Sequence, residues 1–142
     1  MNGKERIDAV LDGRIPDKIP HFELDFQLDM QVFNISKWSS EENYLLVCEK
    51  LIERYDWAAI IVPDNLISPA KDRFGDRAAV YCANGNGTFW MPSGDQIMDF
   101  TVRLFEDLPS LHEEARRKRD ASIELAYSQI RQGADFICIN SD

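Results

Sequence analysis

The sequence predicts an α/β protein built on a parallel sheet, and three features predict it. Trp57-Ala58-Ala59-Ile60-Ile61-Val62 is an unbroken apolar run closed by Pro63-Asp64-Asn65. Ala134-Asp135-Phe136-Ile137-Cys138-Ile139-Asn140 repeats that pattern of apolar strand and polar tip. Before and between the two runs lie apolar stripes at helical spacing. Short, fully apolar runs suit strands buried on both faces, and strands alternating with helices imply right-handed βαβ units.

In chain order, Ile7, Val10 and Leu11 share one helical face, and Gly13 ends that short helix. Pro16 and Pro20 hold the next segment extended. It feeds His21-Phe22-Glu23-Leu24-Asp25-Phe26, whose strict alternation predicts a strand over 21–26 with His21, Glu23 and Asp25 on one face. Ser39 and Glu42 form a capping box for a helix striped by Tyr44, Leu45, Cys48, Leu51, Ile52 and Tyr55. A second strand spans 58–62. A third spans 79–83 and ends in Asn84-Gly85-Asn86-Gly87. Local signals favour a hairpin there, because Asn-Gly between β-prone runs is its strongest short cue. The alternative is a glycine-rich turn leading into the next helix.

That helix carries Ile97, Met98, Thr101, Leu104, Phe105 and Leu108 at helical spacing, with Asp95 as its cap. Pro109 opens another, with Ser110 and Glu113 as a capping box. Its apolar edge runs through Leu111, Ala115, Ser122, Ala126 and Ile130, and Gly133 terminates it. A fourth strand spans 136–140. Four such units fit a doubly wound sheet or a segment of a barrel. An open sheet usually ends in a helix over its last strand, whereas a (β/α)8 barrel takes roughly 250 residues. At 142 residues the chain reads as one domain, the amino-terminal half of a TIM barrel, and truncated.

Composition narrows the function classes. A chain 44% hydrophobic and 29% charged is globular, not disordered. The net charge of −9 repels a phosphate backbone, and acidic residues flank the one basic run, Arg116-Arg117-Lys118-Arg119, so no nucleic-acid partner is expected. Cys48, Cys82 and Cys138 are scattered and odd in number, which suggests reduced thiols in the cytoplasm. The amino terminus is polar, and no apolar run approaches the ~18 residues of a membrane span. No cluster has metal-ligand spacing, so no metal is expected on these residues. Gly85-Asn86-Gly87 does not match a phosphate-binding fingerprint.

The stretch Asp56 to Leu66 resembles the second-strand motif of the uroporphyrinogen decarboxylases, where an apolar strand runs into an aspartate facing the tetrapyrrole. Leu11-Asp12-Gly13 followed by Arg14 to Pro20 is similar to that family's opening. Gly133-Ala134-Asp135-Phe136-Ile137 is similar to its entry to strand four. The likeness covers nearly the whole chain in order. It implies about four units of a (β/α)8 barrel and an active-site loop, not a hairpin, after the third strand.

One departure redirects the chemistry. The decarboxylases carry an arginine-rich segment after the first strand that binds substrate carboxylates. Here Phe22 to Met30 is acidic and holds no arginine fork. The resemblance then implies the superfamily's corrinoid-linked methyltransferases, which move a methyl group from a methyl-cobamide to a thiol or pterin. Cobamide would be a substrate, and a corrinoid protein a partner. The zinc that such enzymes often carry would sit on residues outside this chain. Three alternatives stay open: a non-catalytic half-barrel that self-associates or pairs with a separate carboxyl-terminal half, a tetrapyrrole decarboxylase, and a flavodoxin-like binding domain.

Asp64 is the catalytic candidate. At a barrel's mouth its carboxylate would stabilise a developing cation or accept a ligand N–H, whereas the plainer reading is a turn capping the next helix. Asn65 stands beside it as a substrate contact. His21, Glu23 and Asp25 would line the pocket from the first strand, although His21 also suits a structural role at its base. Asn140 and Asp142 occupy the equivalent position after the fourth strand, where Asp142 equally reads as a frayed end. Asn84 and Asn86 read as turn residues, His112 as solvated, and Trp38, Trp57 and Trp90 as core or interface aromatics.

Overall fold

The computed structural model describes residues 1–84 and 92–139. The chain divides into two compact units, Met1–Cys82 with Gln129–Ile137, and Ala83–Ser128 with Cys138–Asp142. The elements are α1 (Gly3–Leu11), α2 (Asp29–Phe33), α3 (Glu41–Tyr55), β1 (Ala59–Ile61), α4 (Ile67–Phe74), β2 (Ala79–Ala83), α5 (Gln96–Glu106), α6 (Leu108–Arg131) and β3 (Phe136–Cys138). Three parallel strands form one sheet in the order β1-β2-β3. Ala59, Ile60 and Ile61 pair with Ala79, Val80 and Tyr81. The class is α/β.

Asn2 and Glu5 close a capping box at the start of α1. The helix then packs through Gly3, Arg6, Ile7 and Ala9, while Val10 and Leu11 of the expected face are exposed. Close approach explains the shift. A Cβ on Gly3 would lie 2.7 Å from Ala58 Cα and 2.9 Å from the Trp57 carbonyl oxygen, so the backbone of α1 rests on the entry to β1. Arg6 is buried there on Asp17 (2.7 Å) and Asp56 (3.1 Å).

α3 is capped by Ser40, whose Oγ accepts from Asn43 N–H at 3.1 Å, instead of by Ser39 and Glu42. Ser39 lies in a 3-10 turn over Lys37–Ser39, and Glu42 accepts from Arg73. The stripe Tyr44, Leu45, Cys48, Leu51 and Ile52 is buried with Val47, and Tyr55 at its end is exposed. This stripe meets Ile60, Val80 and Cys82 from the sheet and Ile67, Ala70 and Phe74 from α4 in one core. On Tyr81 the ring of Phe136 stacks at 4.7 Å, and Phe22 meets both edge-on.

The expected strand over 21–26 is not formed, which leaves three strands among the described residues where four were read. Its backbone is used otherwise. Ala58 N–H donates to the His21 carbonyl at 2.8 Å, and the Tyr81 hydroxyl takes the Glu23 carbonyl at 2.8 Å. A ladder needs a run of such bonds between backbones, and a side chain occupies the acceptor that would continue it.

After β2 the next described element is α5, and no hairpin partner stands among the described residues. Asp95 makes no side-chain cap. α6 begins at Leu108, one residue ahead of Pro109, and Asp107 Oδ1 accepts from Ser110 N–H at 3.3 Å in place of the expected capping box. Gly133 ends α6 at φ +107°, a backbone state that L side chains rarely adopt.

Candidate functional site

Asp64 opens a 3-10 turn over Asp64–Leu66 directly after β1, with Leu66 N–H donating to the Pro63 carbonyl at 2.9 Å. Its carboxylate caps neither this turn nor α4, so the plain capping role is not what the side chain does. Oδ1 accepts instead from Gln129 Nε2 at 2.8 Å. Asp64 is exposed, yet Gln129 is 0% exposed. Gln129 Oε1 is buried and finds no hydrogen-bond partner among the described residues. An orphaned buried acceptor of this kind costs about 1–3 kcal/mol.

Cys82 of β2 feels the same carboxylate. Burial first, and then the charge of Asp64, push its thiol up to about 12, so it stays protonated. The arrangement is a solvent-facing carboxylate at the carboxyl end of β1, anchored to a buried amide and close to a neutral thiol. Such a group can accept a ligand N–H or stabilise a developing positive charge.

The remaining candidates are placed otherwise. Asn65 Nδ2 donates to Glu41 Oε1 at 2.7 Å and ties the turn to the start of α3. His21 lies edge-on to Trp57, its Nε2 3.6 Å from Glu23 Oε1, and both side chains are exposed. Asp25 pairs with the buried Lys37, whose Nζ also donates to the Phe26 carbonyl at 2.7 Å. Asp29 is itself buried and accepts from Lys37 N–H at 2.6 Å. Lys37 therefore offsets the charge of Asp25 and engages Asp29 through its backbone, while Glu23 stays exposed. No hydrogen bond or ion pair among the described residues links Asp64 to His21, Glu23 or Asp25. Asn140 and Asp142 lie outside the described residues, as do Asn86 and Trp90.

Asn84 is not a turn residue. It is buried, its N–H donates to the Cys138 carbonyl at 2.8 Å, and its Nδ2 donates to the Ser122 carbonyl at 2.6 Å. Gln129 is the residue that sequence reasoning missed. It follows Ala126 by three positions and Ser122 by seven, on the same helical edge, so a lone amide on an apolar stripe was the available signal. A small cavity, about 10 Å3, is lined in part by Lys37, Tyr44, Cys48 and Trp57. That is room for about one water molecule and no ligand.

Among the described residues no group of three or more His, Cys, Asp or Glu is placed to hold a metal ion. No described helix is long and apolar enough to cross a membrane. No family model matches the chain, nor does any curated protein or solved structure compared with it.

Proposed function

We propose that the chain is the amino-terminal part of a uroporphyrinogen decarboxylase-like (β/α)8 barrel of the corrinoid-dependent methyltransferase branch. In this reading Asp64 receives a corrinoid or tetrapyrrole ligand at the carboxyl end of β1. The observation that carries it is the exposed Asp64 carboxylate, tied to the buried Gln129 by one 2.8 Å bond and to no cation among the described residues. Ligands of this class present N–H donors, on pyrrole rings or on the amides rimming a corrin, which suit a carboxylate acceptor. The segment Phe22–Met30 has no arginine to hold a polycarboxylate, which favours the amide-rimmed corrinoid over a porphyrinogen. A bound methyl-cobamide would supply the methyl group for a thiol or pterin acceptor.

The test is thermal unfolding of the 142-residue chain with cobinamide or coproporphyrin. A ligand at a hundredfold excess over Kd adds about 2.7 kcal/mol. For a chain of this size that is a Tm rise of roughly 8 °C. Asp64→Ala, at an exposed position, is expected to fold as before and lose the rise. An unchanged Tm with both ligands would sink the reading.

A second reading rests on a separate observation. α5 buries none of its residues, and Ile97, Met98 and Phe105 are exposed, Phe105 by 86%. A non-catalytic half-barrel that self-associates, or pairs with a carboxyl-terminal half, would cover that surface. Light scattering that gives a monomer at micromolar concentration would remove the self-associating form.

A further inference from the structure

Gln129 combines three properties that packing alone does not require. It is fully buried on the apolar edge of α6, its Nε2 is spent on an exposed carboxylate, and its Oε1 is left without a partner among the described residues. A Met or Leu would fill the same space and strand no acceptor. The orientation of the amide is dictated by Asp64. Turned over, Oε1 would face a carboxylate oxygen at hydrogen-bond distance, acceptor against acceptor.

Resting on the reading of Asp64 as the ligand's acceptor, we propose that Gln129 is its positioning residue: the buried amide clamps Oδ1, so that Oδ2 is the oxygen offered to a ligand N–H. The backbone beneath is already fixed by the Asp64–Leu66 turn, so the side-chain torsions of Asp64 are what the clamp restrains. Among the described residues Asp64 makes no other side-chain hydrogen bond or ion pair. Cys82 on β2 is a protonated thiol, and Glu41 on α3 is engaged by Asn65. Ser68, in the first turn of α4, donates to the Gln132 carbonyl at 3.2 Å.

Two measurements on the full chain separate this proposal from the function it rests on. The first needs no ligand. In the amide NMR spectrum, the Gln129 side-chain NH2 is expected to exchange slowly with solvent and to shift in Asp64→Asn. Exchange as fast as an exposed amide, or no response to Asp64→Asn, overturns the clamp.

The second is a double-mutant cycle on cobinamide affinity, read by visible absorption. Gln129→Met is expected to weaken binding about tenfold in the wild-type background and to leave unchanged the residual binding of Asp64→Ala, which has no oxygen to clamp. Equal weakening in both backgrounds shows a structural role and overturns the proposal. If Gln129→Met does not fold, Gln129→Glu keeps the volume and sets carboxyl against carboxylate. Its binding should be lost at pH 8 and regained on acidification, as the pair takes up a proton. Binding by Gln129→Glu that does not vary with pH overturns it. Absence of cobinamide binding by the wild type defeats the functional reading alone, and the amide spectrum still decides the clamp.

Discussion

Asp135 and Asp64 stand at opposite ends of parallel strands and do different work. At the amino end of β3, the Asp135 side chain accepts from Val80 N–H at 2.8 Å and from Lys71 Nζ at 2.9 Å, with Lys4 Nζ at 3.3 Å. Its own N–H donates to the Val80 carbonyl at 2.7 Å. It is a structural junction, only 14% exposed at the side chain. Asp135→Asn leaves the Lys71 ammonium without its counter-charge, while Lys4 keeps Asp8, and should cost about 2–3 kcal/mol in urea unfolding. Asp64→Asn, on an exposed side chain with one bond, should change stability by less than about 1 kcal/mol. A larger loss at Asp64 than at Asp135 would reverse this assignment of roles.

Among the helices, the contact of α1 with the entry to β1 depends on a missing side chain. Gly3→Ala would drive Cβ into the Ala58 and Trp57 backbone, neither of which is a flexible side-chain end. A loss of about 1–3 kcal/mol in urea unfolding is expected. α3 and α4 are joined by charge as well as by the core. Glu49 accepts from Arg73 at 2.8 Å and from Arg77 at 2.9 Å. The Arg73 bond, with help from Arg77, holds its carboxyl below its ordinary value of 4.5, against the opposing effect of burial. A depressed folded value contributes stability above the unfolded value, and that stability is lost as pH falls through the folded one. The urea midpoint should therefore drop on acidification below roughly pH 4.5. Glu49→Gln should start lower at pH 7 and show a shallower acid limb. Parallel acid limbs in the two proteins would mean that Glu49 contributes nothing to the slope.

Over the whole molecule, apolar surface is distributed unevenly. The first unit encloses its core between the sheet and helices α3 and α4, whereas α5 keeps Ile97, Met98, Val102, Leu104 and Phe105 in solvent. If self-association covers that surface, Phe105→Lys should shift light-scattering mass toward the monomer without lowering Tm, because an 86%-exposed ring adds little to the fold. An unchanged mass would place any association elsewhere.

Much of the architecture was legible because it is local or periodic. Apolar runs ended by Pro63 and preceded by Gly133 marked β1 and β3, and the 3.6-residue stripe of α3 marked both the helix and its buried face. Asp64 was legible as the polar tip of an apolar strand. The segment 21–26 was misread because alternation states only which face each side chain takes. Whether a strand forms depends on a neighbour's free hydrogen-bonding groups, and Tyr81, distant in sequence, took the Glu23 carbonyl. Ser39, Val10 and Asn84 were misplaced for the same reason, since a cap or a buried face is chosen by what packs beside it. Gln129 and Asp64 are 65 positions apart, so no window of sequence brings them together. Composition and period set which segments bury themselves; only packing placed a buried amide beside the carboxylate that sequence offers as the catalytic candidate.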